Sequence, residues 1–205
     1  MSIEEVATNV AINVSALLFL GFFLRRDLQA RDKQMARLVR EEQLGRLGLQ
    51  LASGKRLPMG ALRGSKRVVI AAGTRAQVRD ALAAAEPYRE ELIVRGVFVV
   101  PVTIYEGDDT SVELPPLTPE DLRWRASPVR MEEWQEWFGS QLQLATKASS
   151  EKGLFVGLRL DGRVRTSGQG MPPWTRFLAE LAPMTGDDKW AGFFDGFDGR
   201  VGSMD

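Results

Sequence analysis

The chain has 205 residues, 44% hydrophobic and 26% charged, a balance that suits one or two folded domains and excludes a fibrous or disordered chain. Lys plus Arg (27) equals Asp plus Glu (27), so no global field draws it to nucleic acid, and electrostatic recognition must come from local patches. Cysteine and histidine are both absent. That excludes disulfides, thiol redox centres and thiolate metal sites, and it removes the commonest general base and the commonest transition-metal ligand.

The even charge balance hides an asymmetric start. Val6 to Leu24, VATNVAINVSALLFLGFFL, is a run of 19 residues without a charge. At about 1.5 Å per residue it just spans a hydrocarbon core about 30 Å thick, which predicts a transmembrane anchor over residues 1–24. Polar Thr8, Asn9, Asn13 and Ser15 dilute its first half and leave a signal-peptide core or a buried soluble helix as rivals. A signal peptide has a positive start and a small-residue cleavage site, whereas this run follows Glu4 and Glu5 and leads directly into Arg25 and Arg26. Nine Lys or Arg stand between Arg25 and Arg56 and none before the run, so the positive-inside rule predicts that the N-terminus crosses and the rest stays on the cytoplasmic or equivalent organellar side. Asn9 and Asn13, four apart on one helix face, are candidate partner-binding residues in the membrane; the alternative is that they meet water at the far interface.

Residues 25–45 are predicted to continue as a basic juxtamembrane helix with a narrow apolar stripe of Leu28, Met35, Leu38 and Val39. Its basic face offers contacts to lipid headgroups or to a partner, although such a face is ordinarily just solvated. The period then changes: Leu47, Leu49 and Leu51 alternate with polar or small residues, and Ser53-Gly54 supplies a turn, so a short strand and a hairpin or bend are expected.

The region 46–182 reads as one domain, followed by a tail over 183–205. Lys66 to Gly73 is a buried strand, Thr74 an N-cap, and TRAQVRDALAAAEPYREELIVR a helix disturbed near Pro87. Val97 to Tyr105 is a second strand, parallel to the first because the unit is βαβ. The acidic, Pro-rich stretch that follows is expected to be a solvated loop; Asp108, Asp109, Glu120 and Asp121 have no metal-ligand spacing. Met131, Trp134, Phe138, Leu142 and Ala145, with Trp137 beside them, mark another helix. A hairpin, LFVGLRLDGRVRTS, and a last helix opened by Pro172-Pro173 complete the order βαβ, α, ββ, α. That is the order of a thioredoxin-like α/β domain, here without redox cysteines, so the fold serves as a scaffold. Thr74 reads as a cap rather than as part of a phosphate site, since the turn lacks a Gly-rich fingerprint.

The hairpin carries the densest signal. A strict two-residue Asp161-Gly162 turn would set Leu158 against Arg165 and Leu160 against Arg163. A three-residue loop, Leu160-Asp161-Gly162 with Gly162 left-handed, instead opposes Val164 to Leu158 and Thr166 to Val156. Arg159, Arg163 and Arg165 then gather on the other face as candidate partner-binding residues, to be met either by a partner carboxylate or lipid phosphate or by acids of this chain. Gly168, Gly170, Pro172 and Pro173 are expected to shape a rigid loop that places Trp174, whose indole reads as core with an interface contact as the alternative.

LRLDGRVRTSGQGMPPW resembles the C-terminal motif of the Low PSII Accumulation family, and FFLRRDLQARDKQMARLVREEQLGRL and VVIAAGTRAQVRDALAAAEPYREELIVRGV resemble its juxtamembrane and βαβ portions. The tetratricopeptide repeats of some members are absent, so the chain is similar to a short form. The resemblance implies a single-pass thylakoid protein whose domain faces the stroma or cytoplasm, a non-enzymatic assembly factor or chaperone for photosystem II. Its partners would be newly inserted membrane subunits of a photosynthetic complex and thylakoid lipid. No cofactor, metal, nucleic acid or small-molecule substrate is expected. A stable structural subunit of a larger membrane complex is the alternative, and the missing Cys and His argue against an enzyme.

Overall fold

The computed structural model describes residues 3–105, 111–144 and 152–184, and for residues 3–24 the backbone alone. A first helix, α1 (Ile3–Arg46), runs for 44 residues. No proline interrupts it, and its glycines are confined to Gly21 and Gly45. The chain divides into two compact units, Met1–Arg40 and Glu41–Asp205. The side chains of the apolar run 6–24, with Asn9 and Asn13, lie outside the described residues, as do Asp108, Asp109, Ala145 and the tail from residue 185. Among the described residues no helix is long and apolar enough to cross a membrane.

Two sheets build the second unit. In the small one, β1 (Gly48–Leu51) pairs antiparallel with β2 (Arg56–Pro58) and with β5 (Ala126–Pro128). The turn between β1 and β2 is closed by the Gly54 amide donating to the Leu51 carbonyl at 2.8 Å, with Gly54 at φ +80°. The main sheet holds β3 (Arg67–Gly73), β4 (Val97–Thr103), β6 (Leu154–Leu158) and β7 (Val164–Gln169), in the order β4-β3-β6-β7. β3 and β4 are parallel, whereas β6 is antiparallel to both β3 and β7. Pro101 is tolerated because β4 is an edge strand of this sheet.

Every residue of β3 is buried, because both faces of the sheet are covered. Val68, Ile70, Phe98, Val100 and Val156 pack with Trp134 and Phe138 of α4 (Met131–Leu144) and with Leu49, Met59 and Ala126 around the small sheet. Val69, Val97, Val99 and Phe155 pack on the opposite side with Leu82 of α2 (Arg75–Ala85), Leu92 of α3 (Arg89–Val94), and Trp174 and Phe177 of α5 (Trp174–Glu180). A parallel βαβ unit, a helix on the opposite face, an antiparallel hairpin and a closing helix make the domain thioredoxin-like.

The stretch expected to be a solvated loop is partly core. A 3-10 turn over Pro119–Arg123 leads into buried Trp124, Arg125 and β5. Asp121 is buried, not solvated: its carboxylate accepts from the Thr118 amide at 2.8 Å and the Trp124 indole at 2.9 Å, and pairs with Arg125 at 3.1 Å. Arg125 donates in turn to the Pro115 and Pro116 carbonyls, and Arg89 lies over the Trp124 ring at 5.5 Å. The Asp121 bonds are local, but the segment reads as a loop because its strand, β5, is completed only by β1 far earlier in the chain. Asp121→Ala is expected to cost about 3 kcal/mol, since it strands a buried guanidinium. Urea denaturation followed by Trp fluorescence checks this, with Asp121→Asn, which keeps an acceptor for one of the two donors, the amide or the indole, losing less.

Candidate functional site

The turn from β3 into α2 is where a thioredoxin-like domain presents its thiolate, at a helix N-terminus that lowers the thiol pKa. Here the turn reads Gly73-Thr74-Arg75-Ala76. Thr74 Oγ1 accepts from the Gln77 amide at 3.2 Å and Gln77 Oε1 accepts from the Thr74 amide at 3.0 Å, a complete capping box. The reading of Thr74 as an N-cap therefore holds, and two amides at the helix terminus are satisfied by the chain's own side chains. Gly153, at φ +71°, brings the start of β6 so close that an added Cβ would lie 3.1 Å from the Ala72 carbonyl oxygen. Beside it lies a shallow cleft of about 100 Å³ between Gln77, Asp80, Lys152, Gly170 and Met171. Among the described residues no group of three or more His, Cys, Asp or Glu could hold a metal. The turn carries no thiol.

The hairpin between β6 and β7 has the odd loop that the strand parity requires. The Arg159 amide donates to the Arg163 carbonyl at 2.9 Å, the Gly162 amide donates to the Arg159 carbonyl at 3.0 Å, and Gly162 has φ +81°. Val164 opposes Leu158 as expected. Thr166 does not oppose Val156: it pairs with Gly157, and Ser167 takes the place opposite Val156, because the register shifts at Leu158 and leaves Arg165 as an extra residue.

That bulge separates the arginines. Arg159 binds Asp161 through two nitrogens, at 2.5 and 3.2 Å, and Arg163 reaches the same carboxylate at 3.8 Å. The Arg163 amide also donates to Asp161 at 3.0 Å. Burial alone would raise Asp161, but the hydrogen bonds from Arg159 and the Arg163 amide, with both positive charges, hold it below its ordinary value. Arg165 turns instead to Glu180 of α5 at 3.6 Å, beside Arg176 at 2.6 Å. The Arg176 hydrogen bond, against a small desolvation penalty and with help from Arg165, pulls Glu180 down as well. The Arg159 and Arg165 side chains are mostly covered, at 19% and 13% exposure, and Arg163 is open at 60%. Of the three expected partner residues, then, two are engaged within the fold and Arg163 presents the accessible charge.

Sequence reasoning missed the acid that pins this hairpin. Glu41, buried near the end of α1, accepts the Val164 amide at 3.1 Å, across 123 positions of sequence. Gly162 sits against Arg63, an added Cβ meeting its Nε at 2.6 Å, and the Leu160 carbonyl accepts from the Gly64 amide at 2.7 Å. The other residues of the motif pack as follows. Gly168 makes room for Phe155, whose ring would lie 2.8 Å from an added Cβ, and Gly170, at φ +90°, donates to the Gly153 carbonyl at 3.0 Å. Pro172 and Trp174 are buried, with Trp174 tilted against Phe177 at 6.2 Å.

No family model matches the chain. Among solved structures it is similar to a putative electron transport protein from Aquifex aeolicus VF5, at 13% identity over 67% of this chain and 92% of that one, with a TM-score of 0.42. It is also similar to peroxiredoxin Q from Xanthomonas campestris, at 12% identity over 66% and 90%, TM-score 0.46. A third is BsSco, of the Sco family of cytochrome c oxidase assembly proteins, at 14% identity over 64% and 86%, TM-score 0.44. The strand order β4-β3-β6-β7, with helices on both faces of the sheet, makes the domain thioredoxin-like.

Gly162→Val is expected to destabilise the domain by about 1 kcal/mol or more through backbone strain, read by chemical denaturation. Asp161, held below its ordinary 3.8, contributes stability that is complete at neutral pH and is lost as the pH falls through its lowered folded value. The stability difference between wild type and Asp161→Asn should therefore be full at pH 7 and shrink in the acid range below that ordinary value; a constant difference throughout would contradict the pairing.

Proposed function

We propose that the chain is a membrane-anchored, non-enzymatic assembly factor for photosystem II biogenesis. Residues 6–24 would cross the thylakoid membrane once, and the thioredoxin-like domain would face the stroma or cytoplasm to bind newly inserted membrane subunits. The observation that carries the reading is the segment LRLDGRVRTSGQGMPPW, which resembles the Low PSII Accumulation motif and forms a pinned hairpin with one accessible guanidinium, that of Arg163. The capped, cysteine-free turn at Thr74 supports a binding role for the domain in place of thiol exchange.

Recognition through the hairpin would use Arg163, because an exposed guanidinium can engage a carboxylate or phosphate in a charge-assisted hydrogen bond without dismantling the fold. A permanent structural subunit would share these features, and the two roles differ in residence: a factor leaves the finished complex and a subunit does not. Native separation of membrane complexes, followed by immunodetection of the protein, should place it with assembly intermediates. Equal representation in mature complexes would make it a subunit instead. Protease added on the stromal side of right-side-out vesicles should digest the domain, and full protection would overturn the topology. Arg163→Glu should weaken co-migration with intermediates and change stability by no more than about 0.5 kcal/mol, as for an exposed charge. Arg165→Glu should lower Tm by placing two carboxylates together at Glu180.

A further inference from the structure

Four of the seven exposed large hydrophobic residues described, Leu28, Met35, Leu38 and Val39, lie on one stretch of α1, each about half exposed at 48–54%. At about 100° per residue they occupy a single arc about 100° wide. Arg31 stands inside that arc, and exposed Asp27 and Asp32 stand on its two edges. Arg26, Lys33, Arg37 and Arg40 fall on the other side of the helix. The stretch is thus a two-sided helix with a charged position set within its apolar stripe.

We propose that residues 27–39 are a docking face for an amphipathic helix of another polypeptide. That helix covers Leu28, Met35, Leu38 and Val39 with its apolar side, sets a carboxylate against Arg31, and sets basic residues against Asp27 and Asp32. The proposal deepens the assembly-factor reading by naming the chemistry of the partner, and it rests on that reading for the orientation argument that follows.

A second copy does not fit. Chains anchored with one topology pair in parallel, and with Leu28 and Met35 at a positions and Arg31 and Leu38 at d, a parallel copy would set Arg31 against Arg31. It would also set Asp27 of one chain against Asp32 of the other. A lipid surface does not fit either. The helix is continuous from Ile3 to Arg46, and between Gly21 and Gly45 no Gly or Pro allows a sharp bend. If residues 6–24 cross the bilayer, the 27–39 face projects away along the helix axis over about 20 Å, at 1.5 Å per residue, so it does not lie flat among headgroups. What remains is a helix with the complementary charge pattern.

The test uses the full-length protein in lipid nanodiscs and two labelled helical peptides with the same apolar seam. One carries Glu opposite Arg31 and Lys at the flanking positions; the other has these charges exchanged. Fluorescence anisotropy should show at least tenfold tighter binding of the first, and Leu38→Asp should abolish it. Arg31→Glu should lower affinity for the first peptide and raise it for the second, a gain that an unfolded protein cannot produce. Equal binding of both peptides, or of neither, would overturn the proposal. A sedimenting dimer that Leu38→Asp dissolves would identify the occupant as a second copy, and peptide binding that appears only after residues 185–205 are deleted would identify it as the tail; either overturns the proposal. Because the peptide preference is read on purified protein, it stands or falls separately from co-migration with assembly intermediates.

Discussion

Glycine at position 162 sets the register of the hairpin on which the C-terminal half is hung. With φ +81°, Gly162 gives the loop its third residue, and that odd length keeps Val156, Leu158 and Val164 on the apolar side while Asp161 folds back on Arg159 and the Arg163 amide. The same loop docks outward twice. The Leu160 carbonyl takes the Gly64 amide, and the Val164 amide is taken by Glu41. A change of one residue in loop length would turn every side chain of β7 to the wrong face.

Buried cations hold the other edge of the domain. Arg67, almost fully buried, donates to the Arg95 carbonyl at 2.5 Å and the Ala182 carbonyl at 3.1 Å. Arg95 donates to the Leu178 and Leu181 carbonyls at 3.1 and 3.0 Å. Leu178 lies in the last turn of the seven-residue helix and Leu181 is its C-cap, so a guanidinium supplies donors that the helix end lacks and favours the negative end of the dipole. The Met184 amide closes the same corner on the Val94 carbonyl at 2.8 Å. Arg125 plays a comparable part under the acidic segment. Burial pulls its pKa down, Asp121 opposes that, and the two proline carbonyls accept from its guanidinium.

These arrangements tie several charges of the domain to partners within the fold. The capping box at Thr74 uses two of the amide donors at that helix start, and the Arg159–Asp161 and Arg165–Glu180 pairs use most of the hairpin's positive charge. Arg163 is the hairpin arginine left on the surface. The face of α1 over residues 27–39 is the complementary case, with apolar surface left uncovered.

Local chemistry made much of this legible in the amino-acid order. Alternating and helical periods marked β3, α2, β4 and α4, Thr74 announced a cap, Pro87 a break, and the parity of apolar residues around Asp161-Gly162 required the left-handed glycine. Such features depend on residues a few positions apart, so sequence determines them. Asp161 with Arg159 and Asp121 with Arg125 are local pairs, but tertiary structure alone decided the longer-range contacts of the acids. Glu41 with Val164 and Glu180 with Arg165 join segments whose proximity is created by packing, and the bulge at Arg165 divides the arginine face. A carboxylate has no period, and until the sheet brings it to its partner it reads as one more solvated charge.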